Sequence, residues 1–203
     1  MKKFLLFLVI AVLASTAFAQ GFSITGQAST GIDRDFEGYV YWNAWPVIGM
    51  EIDLGNVDIL AGVRFWVHSL REDKGTVNDW TTINWSFGFY GGIAPEVDIT
   101  QKASLSFPIL FEFNHIGYKN KPKNGTPLIK KWGYNRIAID LGARMYYNVT
   151  EKIGVFGGFK VSALTLYTQT KASYTSGSTF KTGDINLLFF RMGTIDLGVK
   201  FTF

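Results

Sequence analysis

The last ten positions alternate strictly. Ile195, Leu197, Val199, Phe201 and Phe203 share one parity, and Thr194, Asp196, Gly198, Lys200 and Thr202 share the other. A period of two marks a β-strand with one apolar face. The same alternation predicts strands over 22–32, 38–54, 57–68, 82–99, 103–114 and 132–149. Another rises from Ile153 through Ala163 and a last one covers 184–203, about eight in all. Pro46 and Pro95 fall inside predicted strands and imply local distortions, because proline brings no N–H to a ladder. The connections differ in length. Those at Gly55-Asn56, Thr100-Gln101-Lys102 and Thr150-Glu151-Lys152 are tight, whereas those near Asp33 and over 70–79, 117–131 and 170–183 are mostly long.

The first twenty residues read differently. Lys2 and Lys3 precede the apolar run 4–13, and the small-x-small sequence Ala17-Phe18-Ala19 follows. This is the pattern of a secretory signal peptide over 1–19, cleaved before Gln20, and the run is too short for a spanning helix. The remaining residues, 20–203, read as one all-β domain. Composition supports this, with 22 Gly and 18 Phe against 5 Pro. With 0 Cys in an exported chain, neither disulfides nor lipid attachment at a cysteine enters. The formal charge of +4 falls to +2 without Lys2 and Lys3, which leaves no electrostatic case for nucleic-acid binding.

Parity alone does not say which face is buried, but volume does. An eight-stranded barrel has an interior just wide enough to be filled by side chains. The apolar parity carries Trp85, Phe87 and Phe89 on one strand and Phe107, Phe111 and Phe113 on the next, too many rings for that interior. The opposite parity is rich in Gly, Ser and Thr. It also carries nearly balanced charges: Glu51, Asp53, Asp58, Glu112, Asp140 and Asp196 against Arg64, Arg136, Arg144, Lys160 and Lys200. The expectation is a closed antiparallel transmembrane barrel of meander topology, with apolar residues toward lipid and these charges paired in the lumen.

Short turns at one rim, long loops at the other and a last strand ending in Val199, Phe201 and Phe203 together resemble the small bacterial outer-membrane β-barrels of the OmpA, OmpX and OmpW type. The resemblance implies an outer-membrane location and a terminal aromatic read by the assembly machinery. It also implies partners limited to outer-membrane lipid, that machinery and a possible surface ligand at the long loops, with a monomer expected. The last strand should close the wall against the first near Phe22.

Candidate chemistry is sparse. His68 and His115 sit near the loop-side ends of their strands without metal-site spacing, and neither belongs to the His-x-Ser element of lipid-modifying barrel enzymes. No catalytic residue, metal or cofactor is therefore expected, and the function that follows is structural or surface-interacting. A second function class rests on Trp45, Trp66, Tyr90, Leu110, Leu164, Leu188 and Phe190, inward positions nearer the loop end. A lumen greasy above and polar below is similar in layout to OmpW-type barrels, which implies passage of small hydrophobic molecules through the wall.

Overall fold

A computed structural model describes residues 21–34, 40–72, 80–122, 129–169, 172–174, 179–180, 185–190 and 193–203. The expected signal peptide, 1–19, lies outside them. The alternating segments form β1 (Phe22–Arg34), β2 (Val40–Asp53), β3 (Val57–Glu72), β4 (Trp80–Asp98), β5 (Ala103–Ser106) and β6 (Ile109–Pro122). They continue as β7 (Ile129–Asn148), β8 (Ile153–Gln169), β9 (Ala172–Tyr174), β10 (Thr179–Phe180), β11 (Ile185–Phe189) and β12 (Gly193–Thr202). Pairing is antiparallel throughout and closes β12 on β1, giving an eight-stranded barrel.

Twelve segments make eight wall strands because two wall strands are interrupted and β9 and β10 are not wall strands. β5 and β6 are one wall strand broken at Phe107-Pro108, since Pro108 has no N–H to give. The ladder continues across the break: Phe107 N–H donates to the Pro95 carbonyl (2.9 Å), and Gly142 N–H donates to that of Pro108 (3.0 Å). β11 and β12 are the other interrupted wall, and β9 and β10 form a small hairpin against β7. Following the register once round the wall does not return to the starting residue, the stagger that a tilted closed barrel requires.

Pro46 marks a seam. β1 and β2 stay paired up to Arg34 and Val40, but β2 pairs with β3 only from Asp53 and Asp58 to Val47 and Arg64. Pro46 is the first residue beyond that last pair. The distortion expected there is the end of a ladder rather than a bulge.

The tight turns are built by side chains. In two of them a threonine accepts two backbone N–H bonds: Thr100 from Lys102 and Ala103, and Thr150 from Lys152 and Ile153. In the third, Gly55 adopts a φ of +92° and donates its N–H to Asp53 Oδ1 at 2.6 Å.

The fold is inside out relative to a soluble barrel. Phe65, Phe111 and Leu197 are 56%, 51% and 64% exposed, whereas Arg136, Glu112 and Asp196 are 1%, 2% and 1% exposed. Only lipid makes that distribution favourable, because the outer belt then leaves water while the inner charges pair.

Closure is made by the β1–β12 ladder, from Ser23 opposite Thr202 to Ile32 opposite Gly193. Phe203 N–H donates to the Phe22 carbonyl (3.0 Å) and the two rings lie 6.1 Å apart. Deletion of Phe203 is expected to reduce the yield of heat-modifiable barrel in cells several-fold. Normal yield of the truncated chain would contradict a role for this residue in assembly.

Candidate functional site

Two sets of ion pairs occupy the lumen. In the first, Glu112 on β6 lies between Arg64 on β3 and Arg136 on β7. Arg64 Nη2 pairs with Glu112 Oε1 while its Nε donates to Asn114 Oδ1. Arg136 Nη1 donates to the same Glu112 oxygen at 3.1 Å, and Asn114 Nδ2 donates to it at 2.6 Å. Arg136 Nη2 reaches Asp140 Oδ1 at 3.6 Å and donates to Ser162 Oγ. This clustering follows from register, which places Glu112 opposite Ala138 and Asn114 opposite Arg136 on one inward face.

The second set is organised by Arg144 on β7. Its Nη1 lies 3.8 Å from Glu51 Oε1 and its Nη2 lies 3.4 Å from Asp196 Oδ2 and 3.3 Å from Gln27 Oε1. Lys160 Nζ approaches the same Asp196 oxygen at 3.7 Å, and Ser29 Oγ donates to Oδ1 at 2.7 Å. Glu51 also takes Lys200 Nζ at 3.0 Å and the Tyr146 hydroxyl at 2.8 Å. Rings complete the packing, with the Arg144 guanidinium 5.3 Å from the Phe156 centroid and Lys200 Nζ 5.1 Å from that of Tyr146. Gly158 leaves the space beside Arg144, since a Cβ there would lie 2.7 Å from its Cγ.

The expected charges are thus brought together with two exceptions. Glu51, Arg64, Glu112, Arg136, Asp140, Arg144, Lys160, Asp196 and Lys200 all enter ion pairs. Asp53 does not: it is exposed, and its carboxylate is spent on the Gly55 turn. Asp58 is buried, in the charged surroundings of Glu96, Lys200 and Glu51, and it has no ion pair among the described residues. Gln27, Ser29, Asn114, Tyr146 and Ser162 belong to the network but were not among the expected charges. Their inward parity was the signal that could have found them.

Of the expected apolar positions, Trp45, Tyr90 and Leu110 pack together with Val47, Leu60 and Ala94. The side chains of Trp66 and Leu188 lie outside the described ones. Leu164 was expected inward and is not. The β7–β8 register shifts at Ile139/Asp140, leaving Ala163 unpaired, so Leu164 sits opposite the outward Ile139 while Thr165 and Tyr167 turn inward. Phe190 was also expected inward, yet it is 76% exposed at a φ of +48°, where β11 breaks from β12. Among the described side chains the lumen is not greasy above and polar below either. Arg64 lies over the Trp45 ring at 4.9 Å, so charged and apolar clusters stand side by side.

Among the described residues no group of three or more His, Cys, Asp and Glu could hold a metal ion. His115 lies at the wall, its ring 4.9 Å from that of Trp85 and its Nδ1 2.7 Å from Asn135 Oδ1. On the outer face, Val199 lies opposite Gly26 and Val155, and Phe201 opposite Ile24 and Ile153, which sets the final aromatic residues along the closing seam.

No protein-family model matches the chain, and no curated protein sequence does. Solved structures do. Ail of Yersinia pestis, in complex with the heparin analogue sucrose octasulfate, aligns with a TM-score of 0.56 at 13% identity over 90% of this chain and 98% of that one. A major outer membrane protein from Thermus thermophilus gives 0.55 at 11% identity over 90% and 99%. Neisserial surface protein A gives 0.50 at 12% identity over 90% and 97%. At such identities the likeness speaks for architecture. The chain has the fold of the small eight-stranded outer-membrane β-barrels.

Proposed function

We propose that this chain is exported behind a cleaved signal peptide and resides in the outer membrane as a monomeric, non-enzymatic barrel. Its lumen is held shut by ion pairs and its long connections meet the environment. The observation that carries this reading is the buried ion-pair network. Arg64, Glu112, Arg136, Arg144 and Asp196 are all buried and cross-linked, so the wall's polar face is spent on itself. What remains for contact is the loop rim. In sequence, the connection 117–131 holds Lys119, Lys121, Lys123, Lys130 and Lys131 and no acidic residue, while 33–37 holds Asp33, Asp35 and Glu37 against Arg34. A lysine-rich connection at 117–131 suits an anionic surface ligand, in line with the sulfated sugar bound by Ail.

The orientation is tested by protease added to intact cells. Cleavage is expected within 119–131 or 171–181, and full protection of both segments in intact cells, with cleavage after lysis, would overturn it.

A further inference from the structure

The outer wall changes character in steps along β4, β6, β7 and β8. Register sets Phe89, Phe113, Ile137 and Leu166 in one outward row, where the Phe89 and Phe113 rings stack at 5.2 Å. The next outward row, nearer the loop rim, is Phe87, His115, Asn135 and Thr168. Its last three members are polar and joined. Asn135 Oδ1 accepts from His115 Nδ1 at 2.7 Å, and Asn135 Nδ2 donates to Thr168 Oγ1 at 3.4 Å, so one directed chain of bonds crosses three strands. Polar groups on a lipid-facing wall are tolerable when bonded in this way and when headgroups reach them. Trp85 marks that level. One row higher, its ring lies 4.9 Å from that of His115 and covers Gly117, where any Cβ would collide with it, as in the aromatic girdle of an outer-membrane barrel.

Beyond Trp85 the outward positions become basic. Exposed Lys119 stands directly opposite Lys131 in a row with Ser69, Ile83 and Ser173, and the following row holds Arg71, Thr81 and Lys121. Among the described residues these two rows carry four cationic positions and no acidic one. Like charges directly opposite each other on paired strands repel, so the arrangement calls for an anion from outside the chain. A second copy of the barrel would only bring further cations. From His115 to Lys119 the polar span is roughly 13 Å at about 3.3 Å per residue, longer than one phosphate and suited to a phosphate carried on a sugar.

We infer that this face of β4, β6 and β7 docks the phosphorylated sugar headgroup of an outer-leaflet glycolipid. Its phosphate sits at the paired positions 119 and 131, its ring hydroxyls meet the His115–Asn135–Thr168 row beside Trp85, and its acyl chains run down over Phe87 and Phe113. This rests on the membrane-barrel reading and gives the lysine-rich connection an anionic partner within the membrane itself.

The test uses the full barrel in detergent micelles, with native mass spectrometry counting bound lipid. Three probes are compared: an acylated, diphosphorylated glucosamine disaccharide, its dephosphorylated form and dioleoylphosphatidate. The unmodified chain should retain one molecule of the first and shed the second; equal retention of the two would overturn the site. Lys119→Gln with Lys131→Gln should weaken retention about tenfold per lysine, the loss of a charge-assisted contact. Lys123→Gln with Lys130→Gln makes the same change of charge outside the two rows and should leave it unaltered, so an equal loss there would reduce the effect to net charge and overturn the proposal. His115→Phe keeps a ring beside Trp85 but cuts the polar row, and should weaken retention of the disaccharide roughly fivefold while leaving dioleoylphosphatidate unaffected. Unchanged retention of the disaccharide in His115→Phe would contradict the sugar contact. Excess inorganic phosphate should not displace the lipid, and displacement would leave a site for the free ion only. Heat-modifiable migration of each variant shows that it has folded, and its absence in the unmodified chain would count against the membrane barrel instead.

Discussion

Glu112→Ala is expected to cost about 3–5 kcal/mol of unfolding free energy, the range for removing one partner of a buried ion pair. Glu112 Oε1 is the common acceptor of Arg64, Arg136 and Asn114. Without it, two guanidinium groups that are 8% and 1% exposed face each other, and Asp140, 3.6 Å from Arg136, is the ion-pair partner left to them among the described residues. Neither arginine can shed its charge, and the alanine adds no compensating contact. Glu112→Gln retains the acceptor oxygen and should lose less. Urea unfolding of the barrel in lipid vesicles measures both. Equal stability of Glu112→Ala and the unmodified chain would show that the first charge set does not hold the wall strands together.

Arg144→Ala should be comparably destabilising for the converse reason. Arg144 touches both Glu51 and Asp196, joining β7 to β2 and β12 across the lumen. Its loss leaves Lys200 to hold Glu51 and Lys160 to hold Asp196, at 3.0 Å and 3.7 Å. Because those partners remain, the loss should fall at the lower end of the same range, about 3 kcal/mol. It also vacates space next to Gly158 and Phe156 in a lumen otherwise filled by side chains. Two consequences follow, a lower unfolding midpoint and a leak for small ions. Unaltered stability together with unaltered permeability would contradict the role assigned to Arg144.

Most of this architecture was legible because a barrel wall obeys a period of two. Ile195 to Phe203 outward and Asp196 with Lys200 inward follow from parity, as do the partners of Glu112. What parity could not carry was a change of phase. One unpaired residue at Ala163 reverses the side chains that follow it as far as Thr168, so Leu164 left the lumen while Thr165 entered. Phe190 was lost at a backbone break that no proline announces. Asp53 was misplaced because its carboxylate had a nearer use, the N–H of Gly55 two residues on. Pro46 did announce a fault, but whether proline bends a strand or ends a ladder depends on what the neighbouring strand does. The echo between Thr100 and Thr150, by contrast, was informative at once, since both hydroxyls cap the same turn in the same way.

Single-barrel recordings in planar lipid bilayers test the closed lumen most directly. The unmodified chain should insert without stable conductance steps, and Arg144→Ala should produce them. Steady ion conductance from the unmodified barrel, unchanged in Arg144→Ala, would contradict a lumen shut by its ion pairs.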